Sequence, residues 1–372
     1  MIIILFRKFA SSIVKMTKEN IRNFDLEALT ASLVGLGEKS FRAKQIYEWL
    51  WVKDACSFEE MSNLGKDLRT KLDEHYFIDK IKLEDQQISN DKTIKCAFSV
   101  EENRIFEGVL IPTNSRMTAC VSCQVGCSLS CTFCATGRLK LLRNLTAGEI
   151  VDQVVYIKNL AEKHYNQNLT NIVYMGMGEP LLNYKNVLRS IEIITSDKGL
   201  GMSPKRITVS TAGIAKMIRK LGDDQVKFNL ALSLHAANDK KRSKIMEIND
   251  TNNLDELSDA LQYFHEKTGA RVTFEYIIFK DFNDNLEDAQ ELAMFARCVP
   301  CKINIIEYNP IDGSEFQKAD AKKVDAFAAY LESKNMIVNV RHSRGKDIDA
   351  ACGQLANKNK AIEKNERILK AK

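Results

Sequence analysis

Five of the chain's ten cysteines fall inside one short stretch, Cys120-Val-Ser-Cys123-Gln-Val-Gly-Cys127-Ser-Leu-Ser-Cys131-Thr-Phe-Cys134. So many thiols in one loop must fold around a common centre, and the rest of the chain has to present that centre. Cys127, Cys131 and Cys134 read Cys-x3-Cys-x2-Cys. Three thiolates at this uneven spacing bind three irons of a [4Fe–4S] cluster and leave the fourth iron without a protein ligand. An open iron can hold a small molecule and pass it an electron.

Two other uses of these thiols compete. A structural zinc site takes four ligands, usually as two Cys-x2-Cys pairs. Cys120 with Cys123 and Cys131 with Cys134 supply such pairs but leave Cys127 without a role. Disulfides need an oxidising compartment, whereas no secretory signal is evident and closely spaced thiols suit a reducing one. The Cys-x3-Cys-x2-Cys loop, with Phe133 before its last cysteine, resembles that of the radical S-adenosylmethionine (radical SAM) enzymes.

The 372 residues are enough for two domains and a large core. With 45% hydrophobic and 28% charged residues the composition is that of a soluble globular protein. The net charge of +5 permits nucleic-acid binding without demanding it. No stretch reaches the roughly 20 apolar residues of a membrane span. The first residues, MIIILFRKFASSIVK, are apolar and basic with no acid. They read as an N-terminal extension over 1–17, expected to be disordered, with a targeting segment as the alternative.

Asp25 predicts the N-cap of a helix carrying Leu26, Leu29, Leu33 and Val34, ended by Gly35 and Gly37. Ser40 caps a second helix with Phe41, Ile46, Trp49 and Leu50; a third short piece starts over 58–61; Leu64, Leu68 and Leu72 mark a fourth. This is a helical, RNA-binding-like domain over 18–78. Its Arg42, Lys44 and Lys53 are either phosphate contacts or a solvated face. A strand and hairpin linker follows over 79–112, where 93–100 and 104–111 pair about the turn 101–103. Ile105, Glu107, Val109 and Ile111 share one face, which sets a carboxylate among apolar side chains. Glu107 is therefore either an edge residue reaching water or a buried acid or base near a site.

Residues 113–355 alternate strand and helix. Thr146 caps a helix over 147–160. Strands are expected at 171–176, 206–211, 228–234, 272–279, 302–308 and 337–341, with helices at 186–196, 214–221, 254–268, 286–298 and 322–335. Successive βα units imply a parallel sheet with helices outside. Six units are fewer than a closed eight-fold barrel needs. The expected fold is therefore α/β, a partial (β/α)6 barrel with active-site groups at the carboxyl ends of its strands. The basic tail, 356–372, reads as a frayed helix with lysines that can touch RNA.

Each strand end carries a chemical group. Met175-Gly-Met-Gly178-Glu179-Pro180 offers glycines that let a backbone approach a ligand and a carboxylate for an α-amino group. Ser210, Ser233, His235 and Asn309 follow at later strand ends and can hydrogen-bond a ribose, a carboxylate or an adenine edge. Singly each is more often structural; together they outline one pocket. Past the last strand comes Asp347-Ile-Asp-Ala-Ala-Cys352-Gly-Gln-Leu. A lone cysteine is normally a small buried hydrophobe, but its place at the barrel mouth favours a nucleophile. Cys298 and Cys301, at the amino end of a strand, read as structural, and Cys56 and Cys96 as core filler.

Taken together, residues 25–355 resemble the radical SAM RNA methyltransferases that act on carbon 2 of adenosine, the RlmN-like family. The likeness rests on Phe41-Arg-Ala-Lys-Gln-Ile, residues 104–112, the run from Cys120 to Cys127, Gly176-Met-Gly-Glu-Pro, Val209-Ser-Thr-Ala-Gly, Leu232-Ser-Leu-His-Ala and residues 347–355. Cys123 departs from the family pattern, which commonly has Ser there. The resemblance implies one [4Fe–4S] cluster on Cys127, Cys131 and Cys134 and two S-adenosyl-L-methionine (SAM) molecules per turnover. It implies that Cys352 accepts a methyl group and that a 5′-deoxyadenosyl radical takes a hydrogen from it. The carbon radical then adds to adenine, and a transient disulfide with Cys120 frees the product. The same resemblance makes Glu107 or Cys120 the acceptor of the ring proton, and puts Gly178, Glu179, Ser210, Ser233, Leu234, His235 and Asn309 on SAM.

The implied substrates are an adenosine of 23S rRNA in the peptidyl transferase centre and, in some members, the tRNA adenosine next to the anticodon. An electron donor such as flavodoxin or ferredoxin, a monomeric state and a cytoplasmic location are expected with them. Arg138, Lys140, Arg143, Lys205, Arg206, Lys240, Lys241 and Arg242 are candidates for phosphate contacts around the mouth, with solvated loops as the plain alternative. The sister activity at carbon 8 shares the cluster, both cysteines and the mechanism. The reading from another class is a zinc-stabilised RNA-binding protein without catalysis, which iron and acid-labile sulfide would exclude.

Overall fold

The computed structural model describes residues 18–101 and 104–357. The extension 1–17, two residues of the turn 101–103 and the tail from 358 onward lie outside them. The chain divides between Asp79 and Lys80 into two compact units.

In the first unit the apolar spacing makes three helices among the described residues. A short parallel pair, β1 (Glu19–Asn20) and β2 (Tyr76–Phe77), ties the start of the unit to its end. Between them run α1 (Leu26–Gly35), α2 (Phe41–Trp51) and α3 (Lys66–His75). Leu29, Leu33, Ile46, Leu50, Leu68 and Leu72 are buried together in its interior. Asp25 caps α1 as expected, accepting from the Ala28 N–H at 2.7 Å. Ser40 does not cap α2. Its backbone is already helical and its side chain makes no cap bond, because the turn starts earlier, with the Arg42 N–H on the Lys39 carbonyl. Residues 58–61 form a turn rather than a helix.

The second unit is built on one sheet. Its strands are β3 (Lys82–Ile88), β4 (Ile94–Val100), β5 (Arg104–Pro112), β6 (Met117–Cys120), β9 (Asn171–Tyr174), β10 (Ile207–Thr211), β11 (Asn229–Ser233), β12 (Val272–Ile278), β13 (Cys301–Glu307) and β14 (Val338–Arg341), while β7 (Gln124–Val125) and β8 (Arg143–Asn144) pair separately. Among the described residues ten strands run in the order β14-β13-β12-β11-β10-β9-β6-β5-β4-β3. From β6 to β14 every pairing is parallel. β3, β4 and β5 continue the same sheet as an antiparallel edge, so the hairpin region is part of the sheet rather than a loose connection. The crossovers are α4 (Ala147–Tyr165), α5 (Tyr184–Thr195), α6 (Ala215–Asp223), α7 (Asp239–Ile245) with α8 (Leu254–Thr268), α9 (Leu286–Phe295) and α10 (Ala321–Ser333). Six strand–helix units and a closing strand thus give the partial (β/α)6 architecture.

Besides the edge strand β3 and the two-residue strands β1, β2, β7 and β8, two elements on the path to the site were not legible in the chain. β6 is four residues long and runs straight into the cysteine loop, too short to show a period. α7 reads Asp-Lys-Lys-Arg-Ser-Lys-Ile, which looks like a solvated cluster, yet Arg242 and Ile245 in it are buried. Thr146 behaves as expected: it forms a capping box with Glu149 at the start of α4. Among the described residues no helix is long and apolar enough to cross a membrane.

Candidate active site

At the carboxyl ends of the parallel strands lies a cavity of about 700 Å³, within the size range of small-molecule sites. Cys127, Cys131 and Cys134 all line it. Their loop is wound tightly. A Cβ at Gly126 would lie 2.1 Å from the Lys140 carbonyl oxygen, and one at Gly137 would lie 2.8 Å from that of Cys131. Phe133 pins the loop to the strand ends, its ring edge-on to His235 at 4.8 Å and 5.7 Å from Phe279. Ile277, Ile306 and Tyr308 complete that apolar patch.

Burial pushes the thiols of all three cysteines up, Cys127 to about 11, and mutual proximity adds to the effect at Cys127 and Cys131. In this setting a thiolate needs an added positive centre, which iron supplies. Among the described residues no three His, Cys, Asp or Glu side chains converge as ligands of a single ion. Three soft thiols spread around one open cavity fit a multi-iron core.

Cys120 and Cys123 part company. Cys120, at the end of β6, lines the cavity, whereas Cys123 is buried with its Sγ 3.7 Å from the Met177 carbonyl oxygen. The pairwise arrangement that a zinc site would need is therefore not formed, because the alternation of the chain sends the two thiols to different places.

The wall beyond the cluster loop carries most of the expected SAM contacts. Gly178, Glu179, Ser210, Ser233 and His235 line the cavity; Leu234 and Asn309 do not. Glu179 is buried, and its carboxylate accepts from the N–H groups of Leu181 at 3.0 Å and Ala212 at 2.8 Å. It thereby ties the end of β9 to the end of β10. Ser210 and Ser233 place their hydroxyls 3.2 Å apart on neighbouring strands. His235 has a left-handed backbone, φ 59°, and its Nδ1 accepts from the Ile277 N–H at 3.0 Å. That bond puts the ring proton on Nε2. Burial, with Arg242 nearby, lowers its pKa to about 3, so the ring is neutral. The glycines of the β9 loop serve packing as much as ligand approach. A Cβ at Gly176 would lie 2.6 Å from Ser122 Oγ and one at Gly178 2.5 Å from Gln124 Cβ. The structure needs these two bare positions to seat the loop against the cysteine segment.

Cys352 faces the same cavity. The residue is exposed and opens on that space, and the protein packed around it pushes its thiol up to about 11. Cys120 is held at about 12 by burial and then by the neighbouring Cys352. The chain around Cys352 is fastened on several sides. Asn309 Nδ2 donates to the Cys352 carbonyl at 3.2 Å, and Gln354 Nε2 to that of Pro310 at 3.1 Å. Asp347 accepts from Ser89 Oγ at 2.5 Å and from the Asn90 N–H at 3.0 Å.

Glu107 is the buried acid rather than the edge residue. Its side chain is fully covered, with Oε1 3.5 Å from Nζ of Lys95, itself 4% exposed. Its Oε2 accepts from the N–H groups of Ala356 at 3.0 Å and Asn357 at 3.1 Å. The carboxylate does not line the cavity; it grips the chain just beyond Cys352.

The basic candidates divide. Arg242 is fully buried and is not a phosphate contact. Its guanidinium donates to the carbonyls of Leu234 at 3.1 Å and Ala212 at 2.5 Å and to Asn249 Oδ1 at 2.8 Å, holding strand ends together. Lys241 pairs with Asp288 at 2.5 Å, Arg143 forms two bonds with Glu149, and Arg138 donates to the carbonyls of Asp312 and Gly313. Lys140, Lys205, Arg206 and Lys240 are exposed. Sequence reasoning missed Arg116, Glu275, Arg341 and Arg344, all on the cavity wall. Glu275 could have been found: it interrupts the apolar run of β12 as Glu107 interrupts β5.

The chain was compared with known proteins on this background. Residues 19–78 match the model of the ribosomal RNA large subunit methyltransferase N-terminal domain, and residues 121–295 that of the radical SAM superfamily. A probable dual-specificity RNA methyltransferase RlmN of Cytophaga hutchinsonii is 55% identical over 96% of this chain and 98% of its own. The dual-specificity RNA methyltransferase RlmN of Pelobacter propionicus is 42% identical over 92% of this chain and 96% of its own. The crystal structure of a radical SAM methyltransferase from Sphaerobacter thermophilus superposes with a TM-score of 0.85 at 38% identity, covering 91% of this chain and 99% of the other. With both its domains matched and its length spanned at such identity, the chain belongs to the RlmN family of radical SAM RNA methyltransferases.

Proposed function

We propose that this chain methylates carbon 2 of an adenosine in 23S rRNA at the peptidyl transferase centre, and of the adenosine next to the anticodon in tRNA. The observation that carries the reading is that Cys120 and Cys352, far apart in sequence, face one cavity with Cys127, Cys131 and Cys134. The family's cofactors are a [4Fe–4S] cluster and SAM. When bound, they supply a methyl group and the means to take a hydrogen atom from an unactivated C–H bond, which an adenine carbon that is not nucleophilic requires.

The chain's own residues do the rest. Cys127, Cys131 and Cys134 hold the cluster. Glu179, Ser210, Ser233 and His235 offer the α-amino, ribose and adenine groups of SAM their partners, and the neutral His235 adds no charge against the sulfonium. Cys352 is the methyl carrier, and Cys120 the thiol that takes its sulfur in a disulfide to release the product. Both thiols are held protonated at rest, which protects them from oxidation between turnovers. Cys120 lines the cavity and Glu107 does not, so Cys120, once it has given up its own proton, is the better placed of the two to take the ring proton. A small electron carrier such as flavodoxin or ferredoxin and a cytoplasmic, monomeric enzyme complete the reading.

The test is on the product. The reconstituted protein, with reductant, methyl-deuterated SAM and unmodified 23S rRNA fragment or tRNA, is incubated without oxygen. The RNA is digested and compared with 2-methyl- and 8-methyladenosine by mass spectrometry. A 2-methyl product lacking one methyl deuterium is expected. An 8-methyl product, or none from either RNA with an intact cluster, would overturn the assignment.

A further inference from the structure

Among the charged side chains of the cavity wall that have no part in the reading above, two are paired. Arg341 ends β14 and Glu275 lies on β12, and Arg341 Nη1 sits 3.2 Å from Glu275 Oε2. The carboxylate is the buried partner: its side chain is 5% exposed, that of Arg341 47%. A polar row across three strands fixes it. Strand register sets Glu275 beside Asn304 and Asn304 beside Asn339. Asn304 Nδ2 donates to Glu275 Oε1 at 2.8 Å, and Asn339 Nδ2 to Asn304 Oδ1 at 3.2 Å. The sheet thus holds Asn304, Asn304 holds the carboxylate, and the carboxylate holds one arm of the guanidinium. The head group belongs to a cavity wall that also carries Cys120 and Cys352.

We propose that Arg341, oriented by Glu275, is the cation that activates Cys352, stabilising its thiolate within the cavity. The inference rests on the reading of Cys352 as the methyl carrier. Sharing the cavity with Cys352 are Arg341 from β14, Glu275 from β12, Cys120, Glu179, His235, Arg116, His342, Arg344 and the thiols of the cluster loop. Of these cations Arg341 is the one that bears on both thiols, and it opposes the burial that raises them. A guanidinium suits the place: it stays charged when partly desolvated, and its fork can satisfy a carboxylate with one arm while another faces a sulfur. The bond to Glu275 holds one arm of the guanidinium at the sheet while the rest of the side chain stays half exposed.

The test uses the full chain with its cluster, without oxygen and without SAM. Iodoacetamide labelling of the Cys352 peptide is followed by mass spectrometry as a function of pH. Cys56, exposed in the other unit, is read in the same digest as an internal reference. Arg341→Met is expected to slow labelling of Cys352 about tenfold near neutral pH and to move its pH profile up by about one unit. Arg341→Lys should recover part of the loss, and Cys56 should be unchanged throughout. A wild-type profile in Arg341→Met overturns the proposal, as does an equal change at Cys56, which would mark a general loosening. Adding SAM and weighing the same peptide reads the carrier role separately. A Cys352 that never gains a methyl group but still labels in an Arg341-dependent way would refute the carrier and leave the activation standing.

Discussion

The backbone N–H of Ala135, one residue past the last cluster cysteine, donates to the carbonyl of Gly353, one residue past Cys352, at 2.7 Å. The two stretches of chain that carry the chemistry are bonded directly to each other. A second bond runs beside it, from Thr136 Oγ1 to the Leu355 carbonyl at 2.6 Å. The position of the Cys352 segment is thus set by the cysteine loop itself.

Thr136→Val removes the second bond while keeping the shape. It leaves a carbonyl in a buried place without a donor, at a cost of about 1–3 kcal/mol. Amide exchange of residues 350–357 should quicken about tenfold while the sheet keeps its protection. Unchanged exchange in that segment would show that the bond does not hold it.

On the proposal that Cys352 carries the methyl group and does not ligate iron, Cys352→Ala should abolish methylated product and leave the visible spectrum of the cluster intact. Product formation above a few per cent of wild type would remove the carrier thiol from the mechanism.

Gly178→Ala meets two obstacles at once. The backbone there has φ 101°, and a Cβ would lie 2.5 Å from Gln124 Cβ. Strain of this kind costs roughly 1–3 kcal/mol, and the β9 loop must shift to relieve it. Weaker SAM binding by calorimetry, with a lower melting temperature, is the expected pair of results. Wild-type values for both would mean that the loop has slack.

Lys95→Met strips the ammonium from a pair in which both side chains are covered. A buried carboxylate left there without its cation, held only by the N–H groups of Ala356 and Asn357, costs about 3–5 kcal/mol. Adding Glu107→Gln should recover much of it, because a neutral amide tolerates burial and can still accept from the N–H groups of Ala356 and Asn357. Urea unfolding of the two single variants and the double variant measures the coupling. Simple additivity of the two costs would argue against the pair.

Protonation should set two limits on the stability of the cluster-free protein. His235 has a folded pKa near 3, below its ordinary 6.5. The unfolded chain therefore binds a proton that the folded one refuses, and stability falls as pH drops from about 6.5 towards 3, by at most about 1.4 kcal/mol per pH unit. The thiols work the other way. Cys120 and Cys352 are raised to about 12 and about 11, so their contribution is present below about 9 and is lost as pH rises through those values. Urea titrations across pH check both ends. A His235→Gln variant with the same acid slope as wild type would clear His235 of the effect.

Part of this protein could be read directly from the chain. The spacing of Cys127, Cys131 and Cys134 is local, so a cluster loop is legible without any fold. The helices of the first unit and the strand–helix alternation of the second follow from apolar periods within single elements, as Leu29 and Leu33 or the run of β12 show. Thr146 and Glu149 announce the start of α4 three residues apart. Ser40 failed as a cap, and β6 and α7 went unread, because each depends on contacts outside its own few residues.

Distance along the chain marks where the reading stops. Composition and spacing determined a three-thiol loop and a parallel α/β scaffold, and they singled out Cys352 near the C-terminal end of the described chain. Tertiary structure decided which groups share a space. It turned Arg242 inward onto carbonyls, sent Cys120 to the cavity and Cys123 away from it, and put Glu107 behind Cys352 in the grip of Lys95. It also brought Arg341 and Glu275 to the thiols from two different strands. A side chain's charge and size are written in the sequence, but its partners are set by strand register and loop closure over many residues. The groups around a buried thiol become known only once the sheet is assembled.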